Sequence, residues 1–516
     1  MGDTMQDTNN KRIAKNTLFL YLRMFINMGI SLYTSRIILN VLGTSDYGIY
    51  GVVGSVVVIF TFVNASLSAA TSRFITFHMG KKDAKQLKII FNTALWLHIG
   101  LAFIIIIVLE SIGVWFLNNK LVIPQERMYA ANWLLQFSVV SSTLGIIKVP
   151  FNATIISHER FDFFAYMSIL GSLLKLGIIF LIPFFSYDKL IVYSALLLCV
   201  GVLMITIDII YCKLNFKETK ITYIYDKETS KAMLSFSGWS FYSNMCFTGR
   251  TQGTNFLLNI FGGTTINAAA GLATTTLNVM EQFATNLISA SRPQIIKNFA
   301  QQNYKGMVEL LVQTSILANT LYILIAIPFI SELDYVLQLW LINVPPFMKG
   351  FCIFLILGEY ISLNNNINYV ALQASSRIRN YCILAGSTSI MVIPILYMIF
   401  KNGGSLYYAY GIPIMSNLII FGYNLNSLRK ITSKCNTKIS TYVISSIIRP
   451  TICCIPTIIL VVLIILNVDA GWNRLLTIIL VSSISTCVFA YFFALSKKMR
   501  LSINNYITKN ITWINL

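Results

Sequence analysis

The sequence predicts an all-α polytopic membrane protein with about fourteen transmembrane helices, and three observations carry that reading. Hydrophobic residues make up 56% of the 516 and charged residues only 11%, against roughly 25% charged in soluble domains. Apolar windows of about 20 residues, the length a helix needs to cross a core of roughly 30 Å, follow one another almost end to end. The windows are continuous rather than alternating, so helices and not barrel strands must satisfy the backbone in lipid.

The chain opens on a polar stretch ending in Lys11, Arg12 and Lys15. The apolar segment behind it is too long for a signal peptide and lacks a small-residue cleavage pattern, so it reads as a first span entering from the cytoplasm. Spans fall near 16–41, 47–77, 89–117, 128–156, 162–186, 190–212, 236–261, 266–291, 307–330, 346–373, 380–400, 405–427, 441–467 and 474–496. The first two are expected to meet at a turn, Gly43-Thr44-Ser45-Asp46. The longest polar connection, Lys213 to Lys231, holds five lysines and reads as a linker. Four regions follow: an N-terminal lobe at 1–212, a cytoplasmic linker at 213–235, a C-terminal lobe at 236–428, and two further helices with a tail at 429–516.

A shift of 219 positions lays Leu39, Asn40 and Gly43 on Leu258, Asn259 and Gly262, and Ser72-Arg73 on Ser291-Arg292. The two lobes therefore read as pseudo-symmetric six-helix repeats, an arrangement that recurs in secondary transporters. Charge placement orients them. Segments assigned to the inside carry 26 lysines and arginines and outside loops carry six, which sets both termini in the cytoplasm.

Composition also excludes functions. The net charge of +20 is spread over short clusters between apolar windows, a topological signal rather than a nucleic-acid surface. Most of the nine cysteines lie inside apolar windows with no CxxC spacing, and His78, His98 and His158 are scattered, so no metal site is expected. No phosphate loop and no long soluble loop is found, so neither ATP nor another cofactor is expected, and the chain does not read as an enzyme.

Seven basic residues remain inside spans: Arg23, Arg36, Arg73, Lys148, Lys175, Arg250 and Arg449. A charge at the bilayer centre costs about 2.5 to 3.5 kcal/mol on insertion scales, so each needs a wet cavity, a partner or a route to the headgroups. Snorkelling suits Arg36, Arg73, Lys148 and Arg449, which lie near span ends. Arg23, Lys175 and Arg250 sit deeper and are candidates to line a cavity. Among acids, Glu281 and Glu359 lie at similar depth. They would pair with Arg250 to fix helix register or take up a proton or sodium ion. Thr274 to Thr276 and Asn364 to Asn366 flank them and fit either helix packing or a hydrated groove.

The turn-and-arginine unit, Arg36, Leu39 to Gly43, Asp46-Tyr47-Gly48, Tyr50 and Ser72-Arg73, together with the span count and the doubled halves, resembles the polysaccharide transporter family. These are Wzx-type flippases of O-antigen and capsule repeat units within the multidrug/oligosaccharidyl-lipid/polysaccharide (MOP) exporter superfamily. The resemblance implies a V-shaped central cavity between the lobes and alternating access. It implies a substrate, an oligosaccharide on undecaprenyl pyrophosphate, moved from the cytoplasmic to the periplasmic leaflet of a bacterial inner membrane. Arg23 and Arg250, in equivalent helices, head the expected substrate-binding set, with Arg36, Arg73, Arg292 and Lys175 beside them. Guanidinium suits a pyrophosphate because it binds phosphate oxygens bidentately. Expected partners are the lipid-linked oligosaccharide, the bilayer, a proton or sodium ion, and a polysaccharide polymerase with other assembly proteins. A cation-coupled multidrug exporter and a peptidoglycan-precursor flippase are the alternatives. A membrane polymerase or ligase is disfavoured because no outside loop exceeds about 20 residues.

Overall fold

The computed structural model describes residues 2–58, 61–119, 123–340, 344–376, 378–435, 437–497, 499–501 and 504; the side chain of Arg36 and those of 43–45 lie outside the described residues. Among the described residues all regular structure is helical. The chain divides into an N-terminal unit, Ala14–Phe241, and a C-terminal unit, Tyr242–Leu516 with Met1–Ile13.

The N-terminal unit takes in most of α1 (Gly2–Val58), then α2 (Thr61–Gly80) and α3 (Ala84–Val108), which runs through a π-helical turn at Leu109–Gly113 into α4 (Val114–Asn119). A 3-10 turn at Gln125–Arg127 leads into α5 (Met128–Ile147), followed by α6 (Val149–Ser157), α7 (Phe161–Leu181) and α8 (Lys189–Asn215). Two starts are capped by carboxylates. Asp83 accepts from the Gln86 N–H and Asp188 from those of Leu190 and Ile191, satisfying donors that a helix otherwise leaves unpaired. Pro150, with no N–H to give, divides the expected single span at 128–156 into α5 and α6. One core joins Ile38 and Leu42 of α1, Ile105 of α3, Leu134 of α5, Ile178 of α7 and Leu190 of α8.

The turn expected at 43–46 is not a break. Helix α1 continues through it to Val58. Gly-Thr-Ser-Asp contains no proline, and one glycine costs a helix only about 1 kcal/mol, so nothing in the stretch forces a break.

The polar connection after α8 is ordered. It forms a 3-10 turn at Lys217–Thr219 and an extended stretch strapped to α3. There Asn92 donates to the Lys220 carbonyl and accepts from the Thr222 N–H, while Thr93 accepts from the Asp226 N–H.

The long helix α9 (Lys227–Ala300) breaks at Gly263, whose φ of 76° and ψ of −176° lie outside helical space in a region only glycine adopts readily. This break falls between the expected spans at 236–261 and 266–291. Helices α10 (Tyr304–Ser331), α11 (Leu333–Trp340), α12 (Met348–Ala374), α13 (Arg379–Lys401) and α14 (Tyr408–Thr432) follow. Glycines seat α9 against α13: a Cβ at Gly253 would meet the Ile393 side chain at 2.5 Å, and one at Gly386 would meet the Tyr242 ring at 2.6 Å. Small residues at such crossings let helix backbones approach closely.

The expected span at 441–467 is interrupted rather than straight. It consists of α15 (Ile439–Val443), a π-helical turn at Ile444–Ile448, α16 (Arg449–Ile452) and α17 (Ile455–Asn467), with Pro450 and Pro456 each at the start of a new segment. Helix α18 (Trp472–Phe489) closes the unit, with a π turn at Ala490–Ala494.

Among the described residues eight helical stretches are long and apolar enough to cross a membrane, from Ala84–Asn119 to Trp472–Ala494. They carry bulky apolar side chains outward, as Ile459, Leu466, Leu480 and Ile484 do on α17 and α18. Helices α1, α2, α9, α12 and α14 stand outside that set. In α12 the row Asn364, Asn365, Asn366 and Asn368 is what dilutes the apolar character. The polar helices are the ones that hold most of the candidate site residues.

Candidate functional site

In the C-terminal unit three candidate residues converge. Arg250 lies on α9 before the Gly263 break, Glu281 on α9 after it, and Glu359 midway along α12. Glu359 accepts a hydrogen bond from Ser362 and stands within electrostatic reach of both Glu281 and Arg250. Arg250 makes no ion pair within 4.0 Å among the described residues. Its guanidinium lies 5.4 Å from the Phe247 ring, and Nη1 is buried with no hydrogen-bond partner. The expected register-fixing pair is therefore not closed. What remains is a guanidinium with a spare donor within electrostatic reach of Glu359, which is itself within reach of Glu281.

A set of polar contacts braces α12 on either side of Glu359. Tyr322 donates to the Ile356 carbonyl at 2.8 Å, and the Tyr360 hydroxyl meets that of Thr451 at 2.7 Å. Asn319 and Asn364 exchange amide hydrogen bonds at 3.0 Å, and Asn319 also donates to the Ser446 carbonyl in the interrupted helix. On the other flank Asn365 donates to the Asn417 carbonyl and accepts from Asn424. For Asn364 and Asn365 helix packing is thus the observed use. Thr274, Thr275 and Thr276 bond carbonyls four residues back on their own helix.

Arg292 does not join this group. It lies far along α9 near Tyr369, with its Nε buried and unpartnered.

The N-terminal unit keeps its candidates apart. Arg23 lies 4.9 Å from the Phe164 ring, and one turn on Asn27 donates to Ser168 at 2.8 Å, so two successive rungs set the register of α1 on α7. Arg73 is 6% exposed, with the rings of Phe74 and Phe77 each 4.8 Å from its guanidinium and that of Phe236 at 5.9 Å. That position corrects the snorkelling expectation: enclosed by rings, Arg73 is held by cation–π attraction and does not reach outward. Lys148 likewise pairs with Asp208 at 2.8 Å instead of extending to a surface. Lys175 is exposed on α7, eleven residues or about 16 Å beyond Phe164.

Sequence reading missed two charge clusters outside the spans. Arg127 binds Asp46 through Nε at 2.8 Å and Asp188 through Nη2 at 3.2 Å, tying α1, α5 and α8 together. Arg474 grips Glu332 at 2.6 and 3.0 Å although Glu332 is 1% exposed. Both arginines had counted only as loop charges. Their partners are distant in sequence, and the only local signal was Asp188 at a capping position. Among the described residues no group of three metal-ligating side chains comes together.

Residues 20–181 match the MatE family model. No curated protein matches the sequence. Among solved structures, MATE in complex with MaD3S superposes with a TM-score of 0.71 at 15% identity, over 82% of this chain and 97% of the other. An outward-facing multidrug resistance MATE transporter of the MOP superfamily gives 0.67 at 16%, over 82% and 96%. A MOP superfamily transporter from Pyrococcus furiosus, described as having a binding pocket of reversed polarity that suggests a different function, gives 0.66 at 14%, over 82% and 96%. The fold is that of the MATE structures. On this MATE-like fold, Arg23 and Arg73 lie within the stretch the family model matches, whereas Arg250, Glu281 and Glu359 lie beyond it.

Proposed function

We propose that this chain is a flippase of the bacterial inner membrane, with both termini cytoplasmic, that carries undecaprenyl-pyrophosphate-linked oligosaccharide repeat units to the outer leaflet by alternating access. The observation that carries this reading is Arg250, a deep guanidinium with a buried, unpaired Nη1 and no ion pair within 4.0 Å among the described residues. A cationic site kept open in a low-dielectric setting favours an anionic ligand, and a pyrophosphate offers oxygens for several N–H donors at once. Arg23 and Arg250 act first in that role, with Arg36, Arg73, Arg292 and Lys175 contributing along the route. The Pyrococcus furiosus transporter of reversed pocket polarity is consistent with a MATE-like fold serving a ligand of other charge. Glu281 and Glu359 supply the coupling site, taking up a proton or sodium ion as the substrate leaves. A polysaccharide polymerase and its assembly partners would consume the product.

The same two carboxylates favour a second reading, a cation-coupled multidrug exporter. Peptidoglycan-precursor flipping would use the same pyrophosphate chemistry. Lipid-linked oligosaccharide measured in cells lacking the gene, and in cells with Arg23→Ala or Arg250→Ala at equal expression, separates them. Accumulation on the cytoplasmic side in all three supports the flippase. An unchanged pool with new sensitivity to cationic drugs replaces it with the exporter, and accumulation of peptidoglycan precursor alone replaces the glycan.

A further inference from the structure

An open groove of about 450 Å³ runs between α5 and α8 where both helices begin. Its composition changes with depth. Glu126, Arg127 and Asp188 stand at the mouth with Tyr129 and Tyr187, while Phe137 and Ala195, further along α5 and α8, line the far end. From Tyr129 to Phe137 is eight residues, about 12 Å of helix, most of one leaflet's half of the hydrocarbon core.

Two features of the mouth select its occupant. The first is charge. Arg127 is committed to Asp46 and Asp188, so with Glu126 three carboxylates face two cations, Arg127 and Lys189, and the Lys189 ammonium turns to the Val41 carbonyl. The second is the set of rings. Tyr129, Trp133 and Tyr187 are 70%, 42% and 81% exposed. Tyr129 meets Trp133 edge-on at 6.4 Å, and Trp133 stacks on Phe137 at 5.5 Å. Exposed ring faces beside the exposed Glu126 carboxylate attract an ammonium group. The acidic excess repels a diphosphate.

We propose that this groove is a binding site for a phospholipid with an ammonium-bearing headgroup, of the phosphoethanolamine type. The ammonium sits against Glu126 and the faces of Tyr129 and Trp133, and an acyl chain descends past Phe137 and Ala195. The site is separate from that of the transported anion and needs only that the unit be embedded in a bilayer.

Native mass spectrometry of the full chain tests it, with the protein released from detergent in an equal mixture of phosphatidylethanolamine and phosphatidylglycerol. Wild-type protein should retain phosphatidylethanolamine in preference, and Glu126→Gln and Trp133→Ala should each reduce that preference about two- to five-fold. Equal retention of the two lipids, a preference for phosphatidylglycerol, or a preference unchanged in Glu126→Gln overturns the proposal. Should Trp133→Ala fail to fold, Glu126→Gln alone decides, because its carboxylate is exposed and bears no packing.

Discussion

Arg250 and Glu359 lie close enough to influence each other and still leave a buried guanidinium nitrogen free. If Glu359 holds the coupling ion, Glu359→Gln in proteoliposomes should abolish the response of transport to a proton or sodium gradient while substrate binding persists. Arg250→Ala should instead lose binding, and Arg250→Lys should restore little of it, because an ammonium cannot make the planar two-point contact. The Arg127 cluster has a different consequence. Burial pushes the Asp188 carboxyl up, but hydrogen bonds from Arg127 and from the backbone outweigh it and hold Asp188 below the usual carboxylate range. A depressed carboxyl contributes stability that is present above its unfolded pKa and is lost as pH falls through the folded value. Melting temperature in detergent should therefore fall on acidification into and below the ordinary carboxylate range. Arg127→Ala should cost about 2 kcal/mol at neutral pH and flatten that acid limb.

At the scale of elements, breaks and crossings decide where the charged groups stand. Gly263 kinks α9 with a conformation that costs other residues about 1–3 kcal/mol. Gly263→Ala should lower the melting temperature and, by shifting Glu281 relative to Arg250, impair transport as well. Gly253→Val would push α9 off Ile393 of α13, and overpacking of that kind costs about 1–3 kcal/mol. The strap after α8 depends on Asn92. Asn92→Ala leaves the Thr222 N–H and the Lys220 carbonyl without their partner, and limited proteolysis should then cut within 217–226 much faster than in wild type. Of these devices, the sequence marks the Gly263 break as a gap between expected spans and leaves Pro150 inside one. It misled at Gly43, because glycine, threonine, serine and aspartate favour a turn without forcing one, and with no proline among them the helix continues.

For the whole molecule the ruling fact is that most of the surface of its apolar helices suits lipid and not water. Topology then follows from charge. Reporter fusions at either terminus should be active only in the cytoplasm, and a reporter after Asn119 only outside; the reverse pattern would invert the transport direction proposed above. The division into two units, Ala14–Phe241 and the remainder, runs close to the polar connection legible in the chain. Each unit brings its own half-buried guanidinium set against a ring, Arg23 on Phe164 in one and Arg250 on Phe247 in the other.

The sequence by itself determined the class, a chain of apolar helices long enough to cross a membrane, and the short roster of charges too costly to be idle. Those are consequences of composition and one-dimensional spacing, because insertion energy depends on each segment nearly alone. Tertiary structure decided what each charge does. Whether a lysine snorkels or meets Asp208, whether Arg73 reaches headgroups or is enclosed by three rings, and whether Arg250 is paired or open all turn on contacts across many tens of residues. No local pattern encodes such contacts, since a hydrogen bond or ring contact exists only once packing has set two helices in register.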